Sequence, residues 1–533
     1  MAPPMRRALS AAALLALAAC SVKLDGGRCQ SDQNCLDDER CDPGAGRCVR
    51  CVPDPACAAP GTTCTADGSA ARTCARNAGT CLYLAAAADC AGAAKTCGTR
   101  SGTPACECPA NSGPNYYADA DSGSLPDALP YATGAQSPPE CRFKTLGQAL
   151  AKATAYGQAA TVRATGAGAT PMVFSKAKGE TFPLEVTPGV TLATTDSPPV
   201  PANYVISVDD ASAPAGVDLH DGAAFLGMTV QSAGAMGDGV RLVCTVSTAS
   251  PLLQSVKVDG ATMLAHAVNA GGSCGAQLTS VDAGGATAAA LLVDLPTTAP
   301  AVSVMGGLFH TSKVGIQVNQ GNVTLTSVEV ANNTSPGTPS GGGAGIRAGS
   351  IAGAAGDIVL SATGLLVHDN DDTGIQLLGL TAGSTVSLVS SDIYLNKALT
   401  AASAYGPGLG RKAGGLLLWG QAPATPLTFQ KNRVYRNLYD QVGVYSGSAW
   451  SLNSGDTSCL PPGVPPVTAN VFTCGDLLHA GSYLIYSTGG AIDALRNVWQ
   501  TDPVPAGDVT NGTSGTGLVT TSPTCGASSI ACP

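Results

Sequence analysis

Between residues 330 and 437 the chain repeats one four-residue frame, an apolar residue, two variable residues and an asparagine: Val330-Ala-Asn-Asn333, Val367-His-Asp-Asn370, Ile393-Tyr-Leu-Asn396 and Val434-Tyr-Arg-Asn437. Leu308-Phe-His-Thr311 fits with threonine in place of asparagine, and a second element, glycine followed by alternating apolar residues, recurs at Gly239, Gly315, Gly345, Gly374, Gly415 and Gly443. A recurring short unit of this kind predicts stacked coils, because no single unit can bury its apolar face alone. Alternation suits a strand buried on its inner side, and glycine suits a bend between sheets. An asparagine at a fixed turn can pair with backbone groups of its own and neighbouring coils. The interval from asparagine to glycine is 4 residues at Asn370 to Gly374 but 12 at Asn333 to Gly345 and 19 at Asn396 to Gly415. The insertions, Thr334 to Ala344 and Lys397 to Gly414, therefore leave the solenoid at one corner, where such loops usually shape a site.

The flanking sequence fits the same picture. Phe143 to Gly157 places Leu146, Leu150 and Ala153 on one helical face and ends at a glycine, which predicts a short helix covering the open end of the first coil. The run Lys144-Thr-Leu-x2-Ala-Leu-x2-Ala, followed by Gly179-Glu-Thr-Phe-Pro-Leu-x-Val-x-Pro-Gly-Val-x-Leu192, resembles the start of an uncharacterised family of bacterial surface proteins with right-handed parallel β-helices of the pectin-lyase type. The resemblance covers residues 111 to 200 and implies a fold, since that superfamily holds lyases, hydrolases, adhesins and proteins without known activity. The expected class is all-β: a right-handed parallel β-helix solenoid with a short N-terminal capping helix, preceded by a small disulfide-rich module.

Arg6 and Arg7 precede an apolar run, Ala8 to Ala19, too short to span a bilayer. Its end, Leu17-Ala18-Ala19-Cys20, resembles a bacterial lipobox, implying lipidation of Cys20 and, with Ser21 following, an outer-membrane address; the alternative is an ordinary secretory signal cut near Ala19. Residues 1–19 are thus read as signal peptide, 20–28 as lipidated cysteine and tether, 29–110 as disulfide-rich module, 111–505 as β-helix and 506–533 as flexible tail. Losing Arg6 and Arg7 changes the formal charge from −9 to −11, which disfavours nucleic acid as a partner. The chain has 21 cysteines, and setting Cys20 aside leaves an even 20, as an oxidising compartment favours. Cys29, Cys35, Cys41, Cys48 and Cys51 resemble small Dickkopf-like or EGF-like surface repeats. Proximity suggests the pairs Cys244 with Cys274, Cys459 with Cys474 and Cys525 with Cys532, while Cys48-Val-Arg-Cys51 leaves a zinc reading open.

Only 12% of residues are charged, so few groups remain for acid/base chemistry. The densest knot is His368 with Asp369, Asp371 and Asp372, which reads first as a turn, with a calcium site or a catalytic carboxylate set as alternatives. Lys313, Arg347, Arg433 and Arg436 are the cations that a catalytic set would draw on. If the frame residue points inward, the next points outward, which sets Phe309, Ala331, His368, Tyr394 and Tyr435 in one solvent-facing column. Aromatics so placed are candidates for stacking on sugars. The expected function is a lipid-anchored surface protein that binds an extracellular polysaccharide or another surface component without cofactor. Two alternatives stand beside it, a polysaccharide lyase or glycoside hydrolase and a structural spacer without ligand.

Overall fold

The computed structural model describes residues 28 to 520 except for internal stretches, the longest being 124–140, 398–412 and 454–469. Cys20, Cys459, Cys474, Cys525 and Cys532, and residues 335–341 and 398–412 of the two corner insertions, lie outside the described residues. Two compact units emerge, Met1–Ala110 and Asn111–Pro533.

In the first unit, three small antiparallel sheets, Glu39–Asp42 with Arg47–Arg50, Gly61–Cys64 with Ala70–Arg76 and Leu82–Asp89, and Thr96–Gly98 with Ala105–Glu107, are stapled by disulfides. The bridges include Cys29–Cys41, Cys35–Cys48, Cys51–Cys81, Cys57–Cys74, Cys64–Cys97 and Cys90–Cys106, and Cys108 is disulfide-bonded too. Cys48 and Cys51 each have a disulfide partner, so the zinc reading of that pair fails. Thiolate ligands are not available from a cystine.

The second unit is a parallel β-helix. Its main sheet has 32 strands, and most strands pair in parallel with the third one along the chain, three strands making one coil. One coil holds Ile358–Thr363, Leu366–His368 and Ile375–Leu378; these lie in register on Thr385–Val389, Asp392–Tyr394 and Ala413–Trp419 of the next. The core is a set of inward columns, of which Phe309, Val330, Val367, Ile393, Val434 and Phe472 form one, all 0% exposed. At about 25 cal/mol per Å2, stacking such apolar columns is the main source of the solenoid's stability.

The helix runs from Leu146 to Ala155, shorter than its amphipathic pattern at both ends, and buries Leu146, Ala149, Leu150 and Ala153. It packs on the strands of the first coils, Asn115–Ala118, Ala160–Ala164, Leu184–Val186 and Val190–Thr194, and so closes their apolar end. Thr145 caps it by accepting from the Gln148 amide (3.1 Å), and the buried Glu180 carboxylate accepts from the Leu146 and Gly147 amides.

Three sequence expectations change. Phe309 is inward: it pairs with Val330, and His310 pairs with Ala331, so Ser312 rather than Thr311 holds the asparagine position. The final glycine is also displaced by one, because Leu416 pairs with Val442 and Gln441 occupies the place held elsewhere by Gly315, Gly345, Gly374 and Gly415. Finally, the stretch after residue 505 is not wholly a tail: Val509–Asn511 pairs with Ile485–Ser487, and Val519–Thr520 with Ile492–Asp493, extending the parallel stack.

Candidate binding face

Three residues per coil, of which the middle one is inward, build one outward face. Its first column runs Lys257, Asp282, Leu308, Glu329, Leu366, Asp392, Arg433, and its second includes His310, Ala331, His368, Tyr394 and Tyr435. His368 and Tyr394 stack at 4.8 Å between ring centroids, and Tyr394 and Tyr435 at 5.1 Å, with planes within 12° and 6°. These separations are the strand spacing itself. Both faces of Tyr394 are therefore taken by its neighbours and Tyr435 is buried, so the column offers ring edges rather than open faces for a sugar. Burial raises the Tyr394 and Tyr435 hydroxyls above the ordinary phenol range, and the Arg433 guanidinium lies 5.8 Å from the Tyr435 ring.

The acidic knot disperses. Asp369 adopts the left-handed conformation (φ 53°), which aspartate tolerates in turns, and its carboxylate meets His368 Nδ1 at 2.8 Å. Asp371 accepts from Lys397 Nζ at 2.8 Å, while Asp372 is buried and accepts from Gln376 Nε2 at 3.2 Å. Among the described residues, the groups whose ligand atoms lie close enough to share a metal are Cys29 with Cys35 and Cys48, and Asp221 with Cys244 and Cys274. Their cysteines are all in disulfides, the last two with each other. The three aspartates are not such a group; each carboxylate is held by a different partner. Of the cations considered as partners, Arg433 forms a two-point pair with Asp392, and Arg347 donates to Gln376 Oε1, the same side chain whose Nε2 donates to Asp372.

The scattered histidines share one role that the sequence did not disclose. Each described one reaches a carboxylate of the preceding coil: His220 to Glu185, His266 to Asp238, His310 to Asp282 and His368 to Glu329, at 2.6 to 3.2 Å. Gly284 and Ala331 stand in the second column where the last two imidazoles cross, leaving room for the diagonal reach. The signal was a small residue two places after an acid, followed one coil later by Leu-x-His.

Beside this face runs a groove of about 450 Å3, lined by Ser280, Asp282, Leu308, Ser327, Glu329 and Leu366 among others. Its floor is open because the bend between consecutive strands is made by small residues in the left-handed conformation, Ser280 (φ 52°), Ser327 (φ 53°) and Gly364 (φ 67°). Leu366 is 41% exposed on its wall. The Asp282 carboxyl is held below its usual range by the hydrogen bond from His310.

No family model matches the chain, and no curated protein matches it. Among solved structures the chain is similar to a GH87 alpha-1,3-glucanase catalytic domain in complex with nigerose, at 8% identity over 85% of this chain and 73% of that one, with a TM-score of 0.30. A second such domain, in complex with tetrasaccharides, gives 8% identity over 84% and 73%, with a TM-score of 0.28. Likeness at that level carries no argument about activity.

Proposed function

We propose that this chain is a lipid-anchored bacterial surface protein, tethered through Cys20 to the outer membrane, that binds an extracellular polysaccharide without cleaving it. The observation that carries the binding reading is the groove: a long open channel walled by leucines, hydroxyls and hydrogen-bonded carboxylates, the mixture of apolar and polar groups that a glycan chain requires. Non-cleavage is favoured by Asp282 on the groove wall: the hydrogen bond from His310 holds its carboxyl below the usual range, which does not suit a general acid. Binding to a glycan array measured with wild type and Leu366→Arg tests the reading; an exposed wall residue permits the change without unfolding, and affinity should fall about tenfold. A wild type that binds no polysaccharide overturns it.

One observation favours a second reading, glycoside hydrolysis in the groove. Asp282 and Glu329 face it from strands two apart, about 9.6 Å between Cα atoms, near the roughly 6.5–9.5 Å at which inverting hydrolases hold their carboxyls. Release of new reducing ends from a polysaccharide panel, abolished by Glu329→Gln, would establish that reading in place of the first.

A further inference from the structure

The face next to the groove has an unusual property. Over six successive coils, from Ala276–Gly284 to Thr428–Gln430, its two outward columns hold no charged side chain. Ser303, Thr324, Ser361, Ser387 and Thr428 lie in register in one column. Thr279, Thr326 and Thr363 lie in the other, beside Met305 and Val389. The adjoining face across the bend, by contrast, carries Lys257, Asp282, Glu329, Asp392 and Arg433. Between the two hydroxyl columns the inward residues Leu278, Val304, Leu325, Ala362, Leu388 and Phe429 are buried, so the array is fixed on a packed sheet. Its hydroxyls repeat at about 4.8 Å along the solenoid axis and about 6.7 Å along each strand.

Elsewhere in the protein serine and threonine hydroxyls are used internally: Ser312, Ser384 and Ser391 accept from backbone amides of other coils. None of the hydroxyls of this array makes a side-chain hydrogen bond to the protein, so all are directed to whatever lies outside. Short side chains with few rotamers lose little entropy on contact, and a rigid lattice is organised before its partner arrives.

We infer that this Ser/Thr face is the extended contact surface for the polysaccharide, and that its ligand is a neutral glycan lying along the solenoid axis rather than a uronate polymer. The inference rests on the polysaccharide reading above. Its basis is charge: a chain of formal charge −9 repels polyanions, and a face with no cation offers an acidic polymer nothing in return. A neutral glycan presents hydroxyls, as donors and acceptors, along its whole length. A chain parallel to the axis would meet at least one serine or threonine hydroxyl at each coil, beginning where the groove opens beside Thr326 and Thr363.

The test uses the full mature chain, with insoluble neutral glucans in co-sedimentation and polygalacturonate in calorimetry. The array variant is Thr326→Lys/Ser361→Lys, both positions being exposed, with a urea midpoint to confirm the fold. Wild type should pellet with a neutral glucan and ignore the uronate, and the array variant should bind the glucan about tenfold more weakly. Binding that falls with Leu366→Arg but survives the lysine pair overturns this inference and leaves the polysaccharide reading standing. Preference of the wild type for the uronate overturns it likewise. Absence of any glycan binding overturns both. A dimer in sedimentation velocity that the lysine pair dissolves, without glycan binding, would assign the face to a second copy and overturn the inference too.

Discussion

Asn396 shows what one residue does in this fold. Its amide donates to the Val367 carbonyl of the preceding coil (3.1 Å) and to Asn437 Oδ1 of the following one (2.9 Å), while its own Oδ1 accepts from the Asn370 amides. The same pattern runs from Ser312 through Asn333, Asn370, Asn396 and Asn437 to Gln441, whose side chain ends the ladder from the glycine column. The glycines then have a reason other than the bend expected of them. Gly315, Gly345, Gly374 and Gly415 lack positive φ; a Cβ on Gly374 would stand 2.7 Å from Asn396 Nδ2, and on Gly315 2.6 Å from Asn333 Nδ2. Asparagine and glycine are two halves of one device, the second giving room to the first. Asn396→Ala leaves several buried polar groups unpaired and should cost about 2–4 kcal/mol in urea unfolding. Gly374→Ala should cost about 1–3 kcal/mol by overpacking. In Gly374→Ala/Asn396→Ala the amide that the new methyl struck is gone, so the two losses should fall short of additivity by about 1 kcal/mol. Strict additivity would mean that the glycine serves something else.

At the scale of elements, the capping helix is where a pH dependence belongs. Glu180 sits against the first-turn amides, yet burial pushes its carboxyl from 4.5 up to about 7. A raised acid binds its proton more tightly in the folded chain than in the unfolded one. Its contribution is therefore complete below about pH 4.5 and is lost as pH rises through about 7. That loss is at most about 3.5 kcal/mol, at roughly 1.4 kcal/mol per pH unit between the two values. Glu180→Gln should remove this slope: the difference in stability between wild type and variant, followed by urea unfolding from pH 5 to 8, should shift in favour of the variant as pH rises. A difference that stays level would show that the helix amides hold the carboxylate charged throughout. The helix itself was legible in sequence, since Leu146, Leu150 and Ala153 recur at helical spacing before Gly157. Strand register was less so. Leu308 and Phe309 are both apolar, and His310, Thr311 and Ser312 are all polar, so nothing local fixed which apolar residue faces inward. The slip by one sent Phe309 outward on paper and into the core in fact. A second ladder, Ser391, Asn432, Asn470 and Asn497, flanks the other end of the same strands. Its trace was the recurrent Asn-x-apolar of Asn432-Arg-Val, Asn470-Val-Phe and Asn497-Val-Trp, hidden by the long, irregular intervals between coils. The acidic knot read first as a turn, but proximity in sequence says nothing about direction, and the turn sends Asp369, Asp371 and Asp372 to His368, Lys397 and Gln376 separately.

For the whole molecule, the two units are held by different physics. In the first, the buried apolar groups are largely the cystines themselves, Cys29, Cys35, Cys41, Cys48, Cys51, Cys57, Cys74 and Cys90, with Ala71 and Tyr83 beside them. Its bridges close loops of 12 to 33 residues, each worth about 2–4 kcal/mol through restriction of the unfolded chain. A unit of that size without an aliphatic core has no other reserve. In the solenoid every coil is buried by its neighbours through aliphatic columns; Cys244–Cys274 bridges neighbouring coils, and Cys141, ahead of the capping helix, is in a disulfide as well. Reduction should therefore separate the two. In a few millimolar reductant at neutral pH, limited proteolysis should cut throughout residues 29–108 while a fragment beginning near Asn111 persists, with its β-sheet circular dichroism intact. In non-reducing buffer the same protease should spare both units. If the solenoid fragment also disappears on reduction, then Cys244–Cys274 is a staple on which the coil stack depends. Cys274→Ser in oxidising buffer would reproduce that loss, whereas stacking carried by the apolar columns predicts that this variant keeps its coils.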